Sequence, residues 1–469
     1  MIKKIGSKIY KNRDQIQFAK TSRDFNKIHT DKVFARKLIF GEQIVHGINI
    51  LLTALSYLKE KNFKISNICC NFLNPVFLNS KVDFFKTHKN NNIIIHVKIE
   101  NELKSVFTLS KKTKVNEIKD IRTKKIKKIN LKENIKLINN TLDFKSFNLK
   151  TNEIKIPKKF SNLLKILNKT QIQEILSISF FVGMICPGKY SLISSIDINL
   201  HSGRKTCRDV SFKVKKKDNR FNRFEIHFSN NIYGKVFAFS YKVPSQKKMS
   251  FFKKRINKNI SLYKKNSLII GGSRGLGEDT SKILASAGSN IILTYLIGKQ
   301  DAKKIKNEIE SETNVKCKTL KLDLSNNSFL KKIRKLKEID FLFYFATIKI
   351  ASNKSFNYEL YKKYKRIYCL NFLKICKILN QISNRKINVF FPSTIFINEK
   401  HNKYSEYIRA KKDSEKVIKK INKNLKKIKV ISVRLPVMNT SQNISIFNQN
   451  KPDSQNLLIS FISNFVQND

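Results

Sequence analysis

The short apolar run Ser267-Leu268-Ile269-Ile270 leads directly into Gly271-Gly272-Ser273-Arg274-Gly275-Leu276-Gly277, and no other stretch restricts the fold as tightly. The run is too short for a helix and reads as a strand buried on both faces. Glycines at this spacing let the backbone turn sharply and let a helix start hard against the strand, its first N–H groups turned toward an anion. From Asn266 onward the pattern alternates strand, turn and helix. That predicts an α/β Rossmann unit, a doubly wound parallel sheet, over residues 266–469. The ligand expected at the turn is a dinucleotide pyrophosphate, held by Gly271, Ser273, Arg274, Gly275, Leu276 and Gly277.

Downstream, Tyr407 and Lys411 stand four residues apart, which places both on one face of a helix. An ammonium beside a phenol favours the phenolate, so Tyr407 reads as a proton donor or acceptor usable near neutral pH. With the glycine turn, this pair makes residues 266–469 similar to the short-chain dehydrogenase/reductases. The resemblance implies that Tyr407 is the general acid/base and that Lys411 holds the cofactor ribose and tunes Tyr407. It also implies a serine or threonine about thirteen residues upstream that polarises the substrate carbonyl; Ser393 and Thr394 both fall there, and Ser393 is preferred. Asn371 matches the asparagine that holds a proton-relay water. Asp323 matches the position against adenine, and Ala346 lies in Phe345-Ala346-Thr347, where the family commonly has Asn-Ala-Gly. The strand Asn290–Leu293 runs into Thr294-Tyr295 with no acidic residue for a ribose 2′-hydroxyl, which with Arg274 favours NADP (NADPH) over NAD. The chain departs from the family at Ile270, where threonine is usual, and in the short region after Arg434-Leu435-Pro436, which removes much of the substrate loop and the last edge strand.

Near the N-terminus, Asp24-Phe25-Asn26-Lys27-Ile28-His29 is followed by Phe34-Ala35, Phe40-Gly41 and Ile44-Val45-His46-Gly47. The stretch resembles the MaoC-like, R-specific enoyl-CoA hydratases of the hotdog fold over about the first 120 residues. Adding water to a conjugated thioester requires a base for the water and an acid for the α-carbon. The resemblance implies that Asp24 and His29 share that water, and that the Gly47 N–H meets the thioester oxygen as it gains charge. A helix opening at Gly41 carries the apolar stripe Ile44, Val45, Ile48, Leu51, Leu52, Leu55 and Leu58. A similar helix-then-strands order returns over 155–245 without an Asp/His pair, and Gly183-Met184-Ile185-Cys186-Pro187-Gly188 continues the resemblance to tandem hotdog proteins. The expected organisation is therefore an α+β double hotdog before the Rossmann unit. Its parts are a hydratase/dehydratase hotdog at 1–122, a basic linker at 123–154, a second hotdog at 155–245, a basic linker at 246–265 and the reductase at 266–469.

The 469 residues carry a formal charge of +61, but lysine is spread along the chain with many Asn, Ile and Phe, the mark of A/T-rich codons. A nucleic-acid footprint clusters instead, so this distribution argues against such a partner. Seven scattered cysteines suggest reduced thiols in a cytoplasmic protein, and no cysteine or histidine spacing suggests a metal. No run approaches the length of a membrane span. Together the motifs predict a bifunctional enzyme: an NADP-dependent 3-oxoacyl reductase/3-hydroxyacyl dehydrogenase coupled to an (R)-3-hydroxyacyl dehydratase/enoyl hydratase. The expected substrate is an acyl thioester on CoA or acyl carrier protein, and a homo-oligomer is expected. The alternatives are the same fusion acting on a polyketide or surface-glycan precursor, and a basic nucleic-acid binder on inactive enzyme folds.

Overall fold

The computed structural model describes residues 2–60, 63–111, 126–129, 146–151, 154–201, 209–241, 243–257, 259–351, 355–399, 403–440 and 453–467. Two compact units are present, one spanning Met1–Val243 and one beginning at Pro244.

The first unit is built on strands β1 (Lys3–Ile9), β2 (Asn67–Phe72), β3 (Lys81–Lys89), β4 (Asn92–Ile99), β5 (Glu102–Ser110), β6 (Ile126–Ile129), β7 (Ser146–Lys150), β8 (Ser191–Leu200), β9 (Asp209–Asp218), β10 (Arg223–Ser229) and β11 (Ile232–Ser240). They form one sheet in the order β1-β3-β4-β5-β2-β8-β11-β10-β9-β7-β6. Alternate residues of β4 and β11 are buried, the period of two that puts one sheet face on a core. Each half wraps a helix. Gly47–Ser56 buries Ile48, Leu51, Leu52 and Leu55, and Lys169–Phe180 buries Ile172, Ile175 and Leu176. The halves join where β2 pairs antiparallel with β8, from Asn67↔Asn199 to Asn71↔Ser195. Asn67 Nδ2 fixes that register by donating to Asp197 Oδ1 at 2.7 Å and Asn199 Oδ1 at 2.9 Å.

Two expectations about this unit change. The apolar helix starts at Gly47, not Gly41: Gly41 turns at φ +67°, and the backbone of Ile44 and Val45 is taken by Phe77 and Val76. Residues 146–150, expected in a linker, form β7, which pairs with β9 and buries Phe147 and Leu149. Most of the rest of 123–154 lies outside the described residues.

The second unit contains β12 (Asn266–Ile270), β13 (Asn290–Tyr295), β14 (Cys317–Lys321), β15 (Phe341–Tyr344), β16 (Ile387–Thr394) and β17 (Ile428–Leu435). All pair parallel, in the order β14-β13-β12-β15-β16-β17. Strand order reverses between β12 and β15, the crevice where doubly wound sheets bind their ligand. The unit starts earlier than expected. Met249–Lys253 is a helical turn whose Met249 and Phe252 are buried with Ile283 and Leu284, and the Leu262 N–H donates to Ala287 O at 2.7 Å. Among the described residues no helix is long and apolar enough to cross a membrane.

Candidate active sites

In the first unit, Asp24 follows a helix that ends at Ser22, and Arg23 makes the exit in the left-handed region at φ 63°. The Asp24 carboxylate accepts from Asn26 N–H at 3.1 Å and from Ser179 Oγ of the second half at 2.7 Å. Asn26 pins the loop, its Oδ1 capping the turn at Ile28 N–H and its Nδ2 donating to Gly188 O at 3.5 Å. Asp24 is 3% exposed, and burial raises its pKa to about 6 against the pull of the Ser179 and Asn26 bonds. His29 Nδ1 lies 2.9 Å from Ile44 O. A carbonyl only accepts, so Nδ1 carries the hydrogen and Nε2 keeps its lone pair. Burial lowers the His29 pKa to about 4, outweighing the Ile44 bond. Between about pH 4 and about pH 6 both groups are neutral, one able to give a proton and the other able to take one.

His46 completes the cluster. Its ring stacks on His29 with centroids 3.8 Å apart, and it sits between Gln15 Oε1 at 2.8 Å from Nδ1 and the Asp24 carbonyl at 3.2 Å from Nε2. Burial and the neighbouring His29 hold its pKa well below the usual range. Asp24, His29 and His46 bring ligand-type atoms within 4.8 Å of one another. The stacking at 27° opposes a metal reading, because an ion must lie in the plane of each ring at about 2.0–2.1 Å from its nitrogen. Gly47 opens the helix behind His46, so its N–H belongs to the first turn, which has no acceptor of its own.

Gly183 reveals a contribution from the second half that the sequence reading did not reach. A Cβ at this position would stand 2.3 Å from Asp24 Oδ1. Gly183→Ala is therefore expected to push the Asp24 carboxyl off Ser179 and to destabilise the first unit by about 1–3 kcal/mol, as chemical denaturation will show.

In the second unit the glycine turn sits at the sheet's switch point. Gly271, at φ +87°, lies so close to β15 that a Cβ would come within 2.9 Å of Ala346 N and Phe345 C. At Gly277 a Cβ would meet Gly271 O at 2.3 Å, which makes the helix Gly275–Ser286 start tight on the turn. Gly275, at φ +56°, has open space in front of it. Thr294 ties the turn down, accepting from Gly271 N–H at its Oγ1 and from Gly272 N–H at its carbonyl, both at 3.0 Å. Two tight glycines and one open one fit a pyrophosphate lying against the helix start. Gly277→Ala is expected to weaken dinucleotide binding at least about tenfold, read by cofactor fluorescence titration.

Tyr407 and Lys411 lie on the helix Ser405–Asn424, over the end of β16. The geometry corrects one assignment. Ser393 Oγ donates to Glu415 Oε1 at 2.7 Å, and Glu415 also pairs with Arg434 at 2.7 Å. Successive strand residues face opposite sides, so Thr394 is the hydroxyl that hydrogen-bonds Tyr407. The expected electrostatics change too. Burial raises the Tyr407 pKa, and burial lowers the Lys411 ammonium to about 7. Lys411 Nζ donates to Pro392 O at 2.5 Å and lies 4.1 Å from the Tyr368 ring centroid and 5.8 Å from that of Tyr407. Tyr407 is thus a neutral phenol with its proton in place. Asn371 ends a π-helical stretch, Arg366–Asn371, and its Nδ2 donates to Leu324 O at 2.7 Å. Asp323 accepts from Ser325 N–H at 2.8 Å and Asn326 Nδ2 at 3.1 Å, so its carboxylate shapes the turn after β14.

Residues 7–111 match the family described as MaoC like domain, and residues 265–451 match short chain dehydrogenase. An uncharacterized oxidoreductase of Bacillus subtilis, YhxC, is 35% identical over 65 residues, 14% of this chain and 22% of that protein. Another from Schizosaccharomyces pombe, C1739.08c, is 36% identical over 67 residues, 14% of this chain and 25% of that protein. The chain thus spans about a quarter of the length of these relatives. Among solved structures, a dehydrogenase/reductase from Sinorhizobium meliloti superposes with TM-score 0.40 at 16% identity, covering 46% of this chain and 91% of that one. The angucycline C-6 ketoreductase LanV with bound NADP gives 0.40 at 15% identity, covering 43% and 88%.

Proposed function

From a chain that joins a MaoC-like domain to a short-chain dehydrogenase domain, we propose a bifunctional acyl-thioester enzyme that reduces a 3-oxoacyl thioester and dehydrates the (R)-3-hydroxyacyl product, or runs both steps in reverse. The observation that carries the reading is the buried pair of Asp24, bonded to Ser179, and His29, bonded through Nδ1 to Ile44 O, on the same chain as Tyr407 and Lys411. The substrate carrier is CoA or acyl carrier protein.

The reductase cofactor is NADP. Gly271, Ser273, Arg274, Gly275, Leu276 and Gly277 hold its pyrophosphate, Ala346 and Asp323 flank it, and Lys411 meets its ribose. Arg274, with no acidic residue in Thr294-Tyr295, supports a 2′-phosphate. When bound, it supplies a hydride to the ketone carbon. Thr394 and Tyr407 hydrogen-bond the ketone oxygen, and Tyr407 gives it a proton as the alkoxide forms. Asn371 anchors the path that restores that proton.

At the other site His29 Nε2 takes the α-proton, and the Gly47 N–H stabilises the enolate oxygen. Asp24 then protonates the departing hydroxyl, so water leaves. The proton on His29 returns to Asp24 through that water. The test is NADPH oxidation by the purified protein with a short 3-oxoacyl thioester, with enoyl product followed in the same tube. Cofactor consumption together with enoyl product is expected. Failure to interconvert any 3-oxoacyl, 3-hydroxyacyl or enoyl thioester sinks the reading.

A further inference from the structure

Lys411 is 4% exposed, and among the described residues no carboxylate pairs with its ammonium. Glu415, one turn along the same helix, is taken by Ser393 Oγ and Arg434. Asp413 accepts from the Tyr361 hydroxyl at 2.6 Å. Cys369 puts its thiol on Ala410 O at 3.8 Å, and burial raises its pKa to about 11, so it stays uncharged. Pro392 O accepts one of the three ammonium hydrogens. What otherwise surrounds the ammonium is aromatic: Nζ lies 4.1 Å from the Tyr368 ring centroid and 4.6 Å from that of Phe391. A ring face within about 6 Å attracts a cation, and most strongly where water is excluded.

The Tyr368 ring is set in place from several sides. It is 1% exposed, and its hydroxyl donates to Thr347 Oγ1, which in turn donates to Ile348 O at 2.8 Å. Thr347 stands where the related reductases commonly carry glycine, so this anchor belongs to that departure. Tyr364, four residues earlier on the same face, stacks on Tyr368 at 4° with centroids 5.9 Å apart. Its own hydroxyl donates to Lys349 O at 2.7 Å and accepts from Ala351 N–H at 3.0 Å. Two tyrosine hydroxyls thus hold the segment from Thr347 to Ala351, and the stack fixes the plane that Tyr368 presents to Lys411. Tyr407 meets that ring edge-on.

We propose that Tyr368 is a positioning residue for Lys411, its ring face holding the ammonium charged and in place beside Tyr407. The consequence for ketone reduction rests on the reductase reading; the contact itself does not. The test is an NMR pH titration of the full chain carrying isotope-labelled lysine, without cofactor, the Lys411 signal being assigned by its loss in Lys411→Met. Tyr368→Leu is expected to lower the Lys411 pKa by about one pH unit or more. Tyr368→Phe, which keeps the face and the Tyr364 stack, should hold it within about half a pH unit of wild type. Tyr368→Met replaces the leucine variant if that one fails to fold. In wild type that reduces ketone, hydride transfer at pH 7 should fall about tenfold in Tyr368→Leu and return in Tyr368→Phe. A Lys411 pKa that stays put or rises in Tyr368→Leu, or that falls equally in both variants, overturns the assignment. Because the titration needs no turnover, a wild type that reduces no ketone would sink the reductase reading and leave the Tyr368 result to stand or fall by itself.

Discussion

Replacing Tyr407 by Phe is expected to reduce kcat for ketone reduction by about 10²–10⁴-fold while NADPH still binds and enoyl thioester is still hydrated at the wild-type rate. The substitution removes one oxygen and little else. The Tyr407 ring meets Tyr364 and Tyr368 edge-on, each with centroids 5.9 Å away, and Phe fills the same space. What disappears is the proton donor. Because burial raises the Tyr407 pKa, the wild-type phenol stays protonated across neutral pH, the form that reduction consumes. Stopped-flow hydride transfer beside a cofactor titration separates lost chemistry from lost binding. A variant keeping more than about a tenth of the wild-type rate would remove Tyr407 from the acid role.

Asp24→Asn is the second large effect. Hydration and dehydration should fall by about 10²–10⁴-fold, so a coupled assay from the 3-oxoacyl thioester accumulates the hydroxy intermediate. Between pH about 4, where His29 titrates, and about 6, where Asp24 does, the pair carries one proton. That proton count serves both directions of the reaction. The wild-type kcat/KM should therefore be bell-shaped with limbs near those values, the apparent constants belonging to the pair. Stability supplies a second readout. The folded Asp24 pKa lies above its ordinary 3.8, so its contribution is present below that value and lost as pH rises through about 6. The span corresponds to on the order of 3 kcal/mol. Relative to wild type, Asp24→Asn should gain stability from pH 4 to pH 7, as chemical denaturation of the first unit measures. A flat difference would mean the carboxyl is not held neutral.

Much of this was legible because period and motif reinforce each other. The stripe Ile48, Leu51, Leu52 and Leu55 is the buried face of the Gly47–Ser56 helix, and the Gly271–Gly277 turn follows a fully apolar strand at a parallel switch point. The Met249–Lys253 turn was hidden by the lysines around it, since one turn of helix shows no period and only Met249 and Phe252 mark it as buried. Ser393 and Thr394 could not be separated by counting; the side of β16 that each faces depends on where the helix above it lies. Ser179 is beyond any local pattern, because its partner Asp24 stands 155 positions away and meets it only through the fold. His46 was visible in His46-Gly47, but its stacking on His29 was not.

The Ser179 hydroxyl and the bare Gly183 backbone against Asp24 bear on how such a chain can diverge. In a symmetric pair of identical subunits, one sequence must encode both the acid and the floor beneath it, and every substitution is made twice. In one polypeptide the two halves are free to differ. The first can keep Asp24, Asn26 and His29 while the second keeps only a small residue and a hydroxyl. The absence of an Asp/His pair at this spacing over 155–245 fits a division of labour, in which Ser179 and Gly183 support a carboxyl that the second half does not itself carry.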